Sequence, residues 1–248
     1  VIGDGLGPDE IWQDNWLLNG SFNGAYIHEN NYAFLPATTL VEHQAAAKNE
    51  HSFVEIQLAT DLAGPSYNVD LRGRVFSDGN SINFYFLKFA RQWQSAGPEP
   101  DLVLNATGCP QNRPASWQCK SGGDDGFDWI EMARWNLSAA GHAEGGAKCT
   151  SMPPLGDSPD HKVWLRLRIE DDAADRPEII GGVGWMDDGS DCPSTSDLSG
   201  CDRWCEFSVS DTSDNRKVFQ GQKGRWGVWS HDVDHRMHVF RAGSEPGS

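Results

Sequence analysis

Apolar and polar residues alternate with a period of two along most of the patterned segments of this chain. In SFVEIQLATDL, Val54, Ile56 and Leu58 fall on one side and Glu55 and Gln57 on the other. YNVDLRGRVF sets Tyr67, Val69 and Leu71 against Asn68, Asp70 and Arg72. KVWLRLRIED sets Val163, Leu165, Leu167 and Ile169 against Trp164, Arg166, Arg168 and Glu170. WCEFSVSD sets Cys205, Phe207 and Val209 against Glu206 and Ser208. A strand sends successive side chains to opposite faces, so each segment predicts a strand with one buried row. GRWGVWSHD and HRMHVFRAG read as two closing strands. Turn signals stand between the runs at Ser77–Asn80, Ala96–Pro100, Asp187–Asp191 and Asp211–Asn215. Only Thr38–His51, with three consecutive alanines, reads as a short helix; NLSAAGHAEGGA holds too much glycine for one. The expected product is all-β, a two-sheet antiparallel β-sandwich. No fixed repeat or linker divides it, so residues 1–248 read as a single domain. Asn105–Gly126 and Ser138–Asp160 read as long irregular inserts.

The most apolar run, INFYFLKFARQW from Ile82 to Trp93, raises the question of a site. On a strand, Phe84, Phe86, Lys88, Ala90 and Gln92 share one face, and Tyr85, Leu87, Phe89, Arg91 and Trp93 share the other. The expectation is that Tyr85, Arg91 and Trp93 line a groove. Arg91 would hydrogen-bond sugar hydroxyls or carboxylates, and Trp93 would stack on the apolar C–H face of a pyranose. FDWIEMARWNL is its expected neighbour, with Trp129, Glu131, Ala133 and Trp135 on one face as a sugar platform. Arg166 and Arg168 would meet either an anionic polymer or acidic partners of their own chain. His231, Asp232, Asp234, His235 and His238 crowd WSHDVDHRMH, which fits a metal, a proton shuttle or an ordinary turn.

Composition narrows the class. Of 248 residues, 36 are acidic and 20 are Lys or Arg, a formal charge of −16. Such a surface repels nucleic acid and anionic membranes. No apolar run reaches membrane-spanning length, so no membrane insertion is expected. The opening VIGDGLGPDE suits a processed mature end or the boundary of an expressed fragment. The cysteines, 6 in number, point to disulfides and an oxidising, extracellular setting. Cys109 and Cys119 bracket a loop short enough to be stapled, while the full pairing stays open. Zinc is disfavoured because no CxxC pair exists and no histidine flanks Cys201 or Cys205. Asn19, Asn105 and Asn136 begin sequons, which support secretion weakly. MDDGSD lacks the spacing and distal glutamate of an EF-hand. G-x-S-x-G, H-E-x-x-H and P-loop motifs are absent.

The order GNSINFYFLKFA, DWIEMARWNL, HKVWLRLRIED and GRWGVWSHDVDHRMHVFRAG resembles the concanavalin A-like lectin/glucanase superfamily, including its laminin-G-like members. The resemblance covers Ser52 to Gly243 and implies a jelly roll with long loops, pinned here by cysteines. It implies lectins, binding modules, adhesive domains, glycoside hydrolases or polysaccharide lyases, so fold leaves activity open. The E-x-D-x-x-E strand of the glucanases is missing, and so are the R-x-E-L-R, Q-x-H and Y-x-K-x-G motifs of the alginate-lyase-like members. Related sandwiches place a structural calcium near the final strand, which implies Asp234 with Asp14 as partner. The leading expectation is a secreted protein that recognises a polysaccharide or glycan through Tyr85, Arg91, Trp93, Trp129, Glu131 and Trp135. A polysaccharide-cleaving enzyme, a lyase with Tyr85 or a histidine as base before a hydrolase, is the second. An adhesive assembly subunit is the third. The oligomeric state does not follow from the sequence.

Overall fold

The computed structural model describes residues 25–27, 32–34, 51–59, 67–77, 82–91, 101–120, 128–136, 148–149, 162–171, 176–193, 198–214, 225–231 and 235–245. The strands, in chain order, are β1 (Ala25–Ile27), β2 (Tyr32–Phe34), β3 (His51–Ala59), β4 (Tyr67–Ser77), β5 (Ile82–Arg91), β6 (Asp101–Thr107) and β7 (Gln118–Lys120). They continue with β8 (Trp129–Asn136), β9 (Lys148–Cys149), β10 (Lys162–Asp171), β11 (Pro177–Trp185), β12 (Arg203–Ser210), β13 (Arg225–His231) and β14 (His235–Glu245). The strands form two 7-stranded sheets, β1-β14-β3-β10-β11-β12-β9 and β2-β13-β4-β5-β6-β8-β7. Every pairing is antiparallel. The sheets face one another, β10 over β4 and β5, β11 over β6, and β12 over β8. The expected helix at Thr38–His51 lies outside the described residues except for His51, the first residue of β3.

The rows predicted to be inward on β3, β4 and β10 are inward wherever their side chains are described. Val54, Ile56, Val69, Leu71, Val163, Leu165, Leu167 and Ile169 are fully buried. Register extends the row across the second sheet as Leu71–Leu87–Leu104–Ala133 and Val69–Phe89–Leu102–Trp135. Burying each such aliphatic or aromatic side chain contributes about 1.5–3 kcal/mol, and this holds the sheets together.

Two central strands were not legible as strands. β11, PEIIGGVGW, carries glycines where the layers crowd. A Cβ at Gly181 would stand 2.8 Å from Leu87 Cδ1 and 2.9 Å from Leu104 Cδ2 across the core. A Cβ at Gly184 would stand 2.7 Å from Cys201 Sγ on the outer side. β6 runs into the segment read as an insert: Asn105, Ala106 and Thr107 are strand residues. Beyond Thr107 the Cys109–Cys119 disulfide closes residues 109–119 and pins β7 at the sheet edge.

A second disulfide, Cys192–Cys201, closes the loop after β11. The described residues of that loop lie on the outer face of the first sheet, where Leu198 and Cys201 pack on Trp164. The acids of MDDGSD anchor it. Asp187 accepts from Arg203 (2.9 Å), and Asp191 accepts from Gln57 (2.7 Å) and pairs with Lys162 (3.3 Å). Cys205 is also disulfide-bonded, and the residue opposite it in the register is Cys149. On the same outer face Arg166 closes a buried ion pair with Glu55 at 2.6 Å, and Arg168 meets Glu170 at 3.2 Å. Both arginines therefore serve acidic partners within the chain.

Candidate functional site

The described part of the β5 face expected to contact sugar, Tyr85 with Leu87 and Phe89, lies between the sheets. Tyr85 is fully buried, and its hydroxyl donates to Asp211 Oδ2 across the sandwich at 2.6 Å. Asp211 Oδ1 accepts from the Ser213 backbone (2.9 Å) and hydroxyl (2.7 Å), and the Asp211 amide donates to Pro177 O (2.8 Å). A β-bulge in β4, visible against both β5 and β13, places Arg74 at φ 52. The guanidinium reaches Asp171 of the opposite sheet through two 2.8 Å hydrogen bonds. Tyr85 is thus a cross-sheet strut, and its placement in an accessible groove is corrected. Burial, then the Asp211 carboxylate, pushes its hydroxyl well above the ordinary value of 10.0. A sealed phenol with a raised pKa is not available as a lyase base. Arg91 ends β5 in the same phase, and its side chain is outside what is described; Trp93 lies outside the described residues altogether.

The expected platform on β8 is divided by a second bulge. Leu104 pairs with Ala133 but Asn105 pairs with Glu131, so Met132 is the extra residue. Strict alternation assumed one face for Trp129, Glu131, Ala133 and Trp135. The bulge instead leaves Trp129 and Glu131 on the outer face and turns Ala133 and Trp135 to the inner row, where Trp135 is buried opposite Leu102.

The outer face of the second sheet brings together other residues. Register places Asp70–Lys88–Val103–Arg134 in one row, Arg72–Phe86–Asn105–Glu131–Gln118 in the next, and Phe84–Thr107–Trp129–Lys120 in a third. Its floor is closed. Phe84 and Phe86 are 1% and 3% exposed with ring centroids 5.4 Å apart, and the Arg72 guanidinium stacks 4.5 Å over the Phe84 ring. Arg72 also lies 3.6 Å from Asp70. Trp129 packs on the Phe84–Phe86 pair and remains half-buried. Glu131 takes both oxygens to Arg134, each at 2.9 Å. Partial burial pushes the Glu131 carboxyl upward, but its Arg134 hydrogen bonds and the charges of Arg134, Lys120 and Lys88 outweigh this and hold it below the usual range. Glu131 is therefore an ionised acceptor at neutral pH. The face offers an indole surface beside fixed donors and acceptors, which suits a ligand with both apolar and hydroxylated sides.

Arg72 and Lys88 were missed as site residues because β5 is apolar on both faces at Phe84–Leu87, and only its pairing with β4 orients it. In the structure the aliphatic row of β4 pairs with Leu87 and Phe89, which brings its polar row into line with Phe86 and Lys88. Asn105 is 1% exposed on this face and donates to Val103 O at 3.0 Å, so its sequon is closed in the folded chain. Asp14, Asp234 and Asp232 lie outside the described residues; the backbone puts His231 on β13 and His235 and His238 on β14. Among the described residues no group of three or more His, Cys, Asp and Glu is placed to hold a metal. No helix among them is long and apolar enough to cross a membrane. No protein-family model matches the chain, and no curated protein sequence matches it.

Proposed function

We propose that this protein recognises a glycan on the outer face of the β2-β13-β4-β5-β6-β8-β7 sheet. The observation that carries the reading is Trp129: a half-buried indole seated on Phe84 and Phe86, in line with Lys120 and beside the ionised Glu131. Saccharides expose C–H faces that indoles cover, and hydroxyls that carboxylates and amides read. The motif resemblance to concanavalin A-like lectins supports this use of a sheet face. The disulfides agree with an oxidising compartment, and we read the protein as secreted.

The bulge in β8 supplies the test. Trp129→Ala removes the platform, whereas Trp135→Ala opens a core cavity and costs about 3–5 kcal/mol of stability. On a glycan array the first variant is expected to lose binding while keeping its melting temperature within a few degrees. The second is expected to melt lower and still bind below its transition. Equal binding by Trp129→Ala and the unaltered protein would remove the proposal.

A further inference from the structure

Resting on that reading, we infer that the glycan is acidic and that Lys88 receives its carboxylate or sulfate ester. The chain carries a formal charge of −16, yet the described charged side chains in the three outer rows are Arg72, Lys88, Lys120 and Arg134 against Asp70 and Glu131. Asp101 stands in the adjoining row opposite Ala90, and exposed Asp128 precedes β8. Most of these charges are engaged. Glu131 is held by Arg134, Arg72 faces Asp70 and Phe84, and Lys120 donates to Gln118 at 3.0 Å.

Lys88 differs. It is half-buried between Asp70 and Val103 in the register, and among the described residues it makes no hydrogen bond or ion pair within 4.0 Å. An anion that brings hydrogen-bond acceptors to this ammonium would give it a charge-assisted partner. Glu131 stands in the adjoining row of the same face, on β8 across β6 from Lys88, so an acidic oligosaccharide lying from β8 to β5 would meet Trp129, the Glu131–Arg134 pair and Lys88. The overall negative charge does not forbid this. At physiological ionic strength charges more than about 8 Å away are largely screened, and the groups at contact decide.

The experiment is calorimetric titration of the full chain at about 0.15 M salt with a polyuronate, a sulfated galactan and a neutral glucan. Lys88→Met keeps the stem and removes the charge; Lys88→Arg keeps the charge. Wild type is expected to bind one or both acidic polymers more tightly than the glucan, and which one separates carboxylate from sulfate recognition. Lys88→Met is expected to weaken that binding about tenfold, the loss of one charge-assisted hydrogen bond, at unchanged melting temperature. Lys88→Arg is expected to retain most of it. Preference for the glucan, or full acidic-polymer affinity in Lys88→Met, overturns the inference and leaves the glycan face standing. Absence of binding to all three polymers and to the glycan array overturns both.

Discussion

Tyr85 carries the sharpest consequence at the scale of single residues. Its hydroxyl and the Asp211 carboxylate form a cross-sheet hydrogen bond with both residues fully buried. A hydrogen bond to a carboxylate contributes about 1.5–3 kcal/mol, so Tyr85→Phe is expected to lower the unfolding free energy by that order. The pH dependence has a definite sign. The native pKa lies above the ordinary 10.0, so the native state binds the proton more tightly than the unfolded chain does. The strut's contribution is fully present below the ordinary value and is lost as pH rises past it through the higher native one. Denaturant titrations from neutral pH to pH 11 should show wild-type stability falling on the alkaline limb more steeply than that of Tyr85→Phe. Parallel limbs would mean that the phenol ionises freely and that the strut is absent in solution.

At the scale of elements, legibility depended on whether a strand kept its period. β3, β4, β10 and β12 were readable because one row of each is aliphatic and the other polar. β5 was readable as a strand but not as to direction, because both its faces are apolar at Phe84–Leu87; only pairing with β4 tells inside from outside. β8 was misread past Glu131 because one extra residue, Met132, inverts the phase, and a bulge leaves no mark in the alternation itself. β11 went unassigned because its glycines break the alternation, and close packing requires them. This last point is testable. A methyl at Gly184 would meet Cys201 Sγ at 2.7 Å and the Arg203 carbonyl at 3.1 Å, a sulfur tethered by its disulfide and a backbone oxygen. At Gly181 it would meet only the terminal methyls of Leu87 and Leu104 within 3 Å, and these can swing aside. Gly184→Ala is therefore expected to cost about 1–3 kcal/mol and to exceed Gly181→Ala, measured by thermal melting. The reverse order would show that the core, not the disulfide loop, is the tighter contact.

For the whole molecule, the two outer faces have different chemistry. On the first sheet the loop closed by Cys192–Cys201 covers Trp164, and the polar row beneath is consumed by Glu55–Arg166, Arg168–Glu170 and Gln57–Asp191. On the second sheet the Cys109–Cys119 disulfide pins only the short edge strand β7, and Trp129, Lys88, Lys120 and Arg134 remain at least partly exposed. If binding belongs to the second face, the first can be weakened without loss of affinity. Replacing Cys192 and Cys201 by serine releases a loop closed over 9 positions, for which chain entropy predicts a loss of about 3 kcal/mol. For a chain of this size that corresponds to a fall in melting temperature of roughly 5–10 °C. Below the transition, affinity for the glycan identified on the array should stay within about twofold of wild type, since the loop and Trp129 lie on opposite outer surfaces of the sandwich. A parallel loss of affinity in a variant still folded by its circular dichroism would move the binding surface to the disulfide-covered sheet. There the Arg166–Glu55 pair and Trp164 would have to be uncovered before any ligand could reach them.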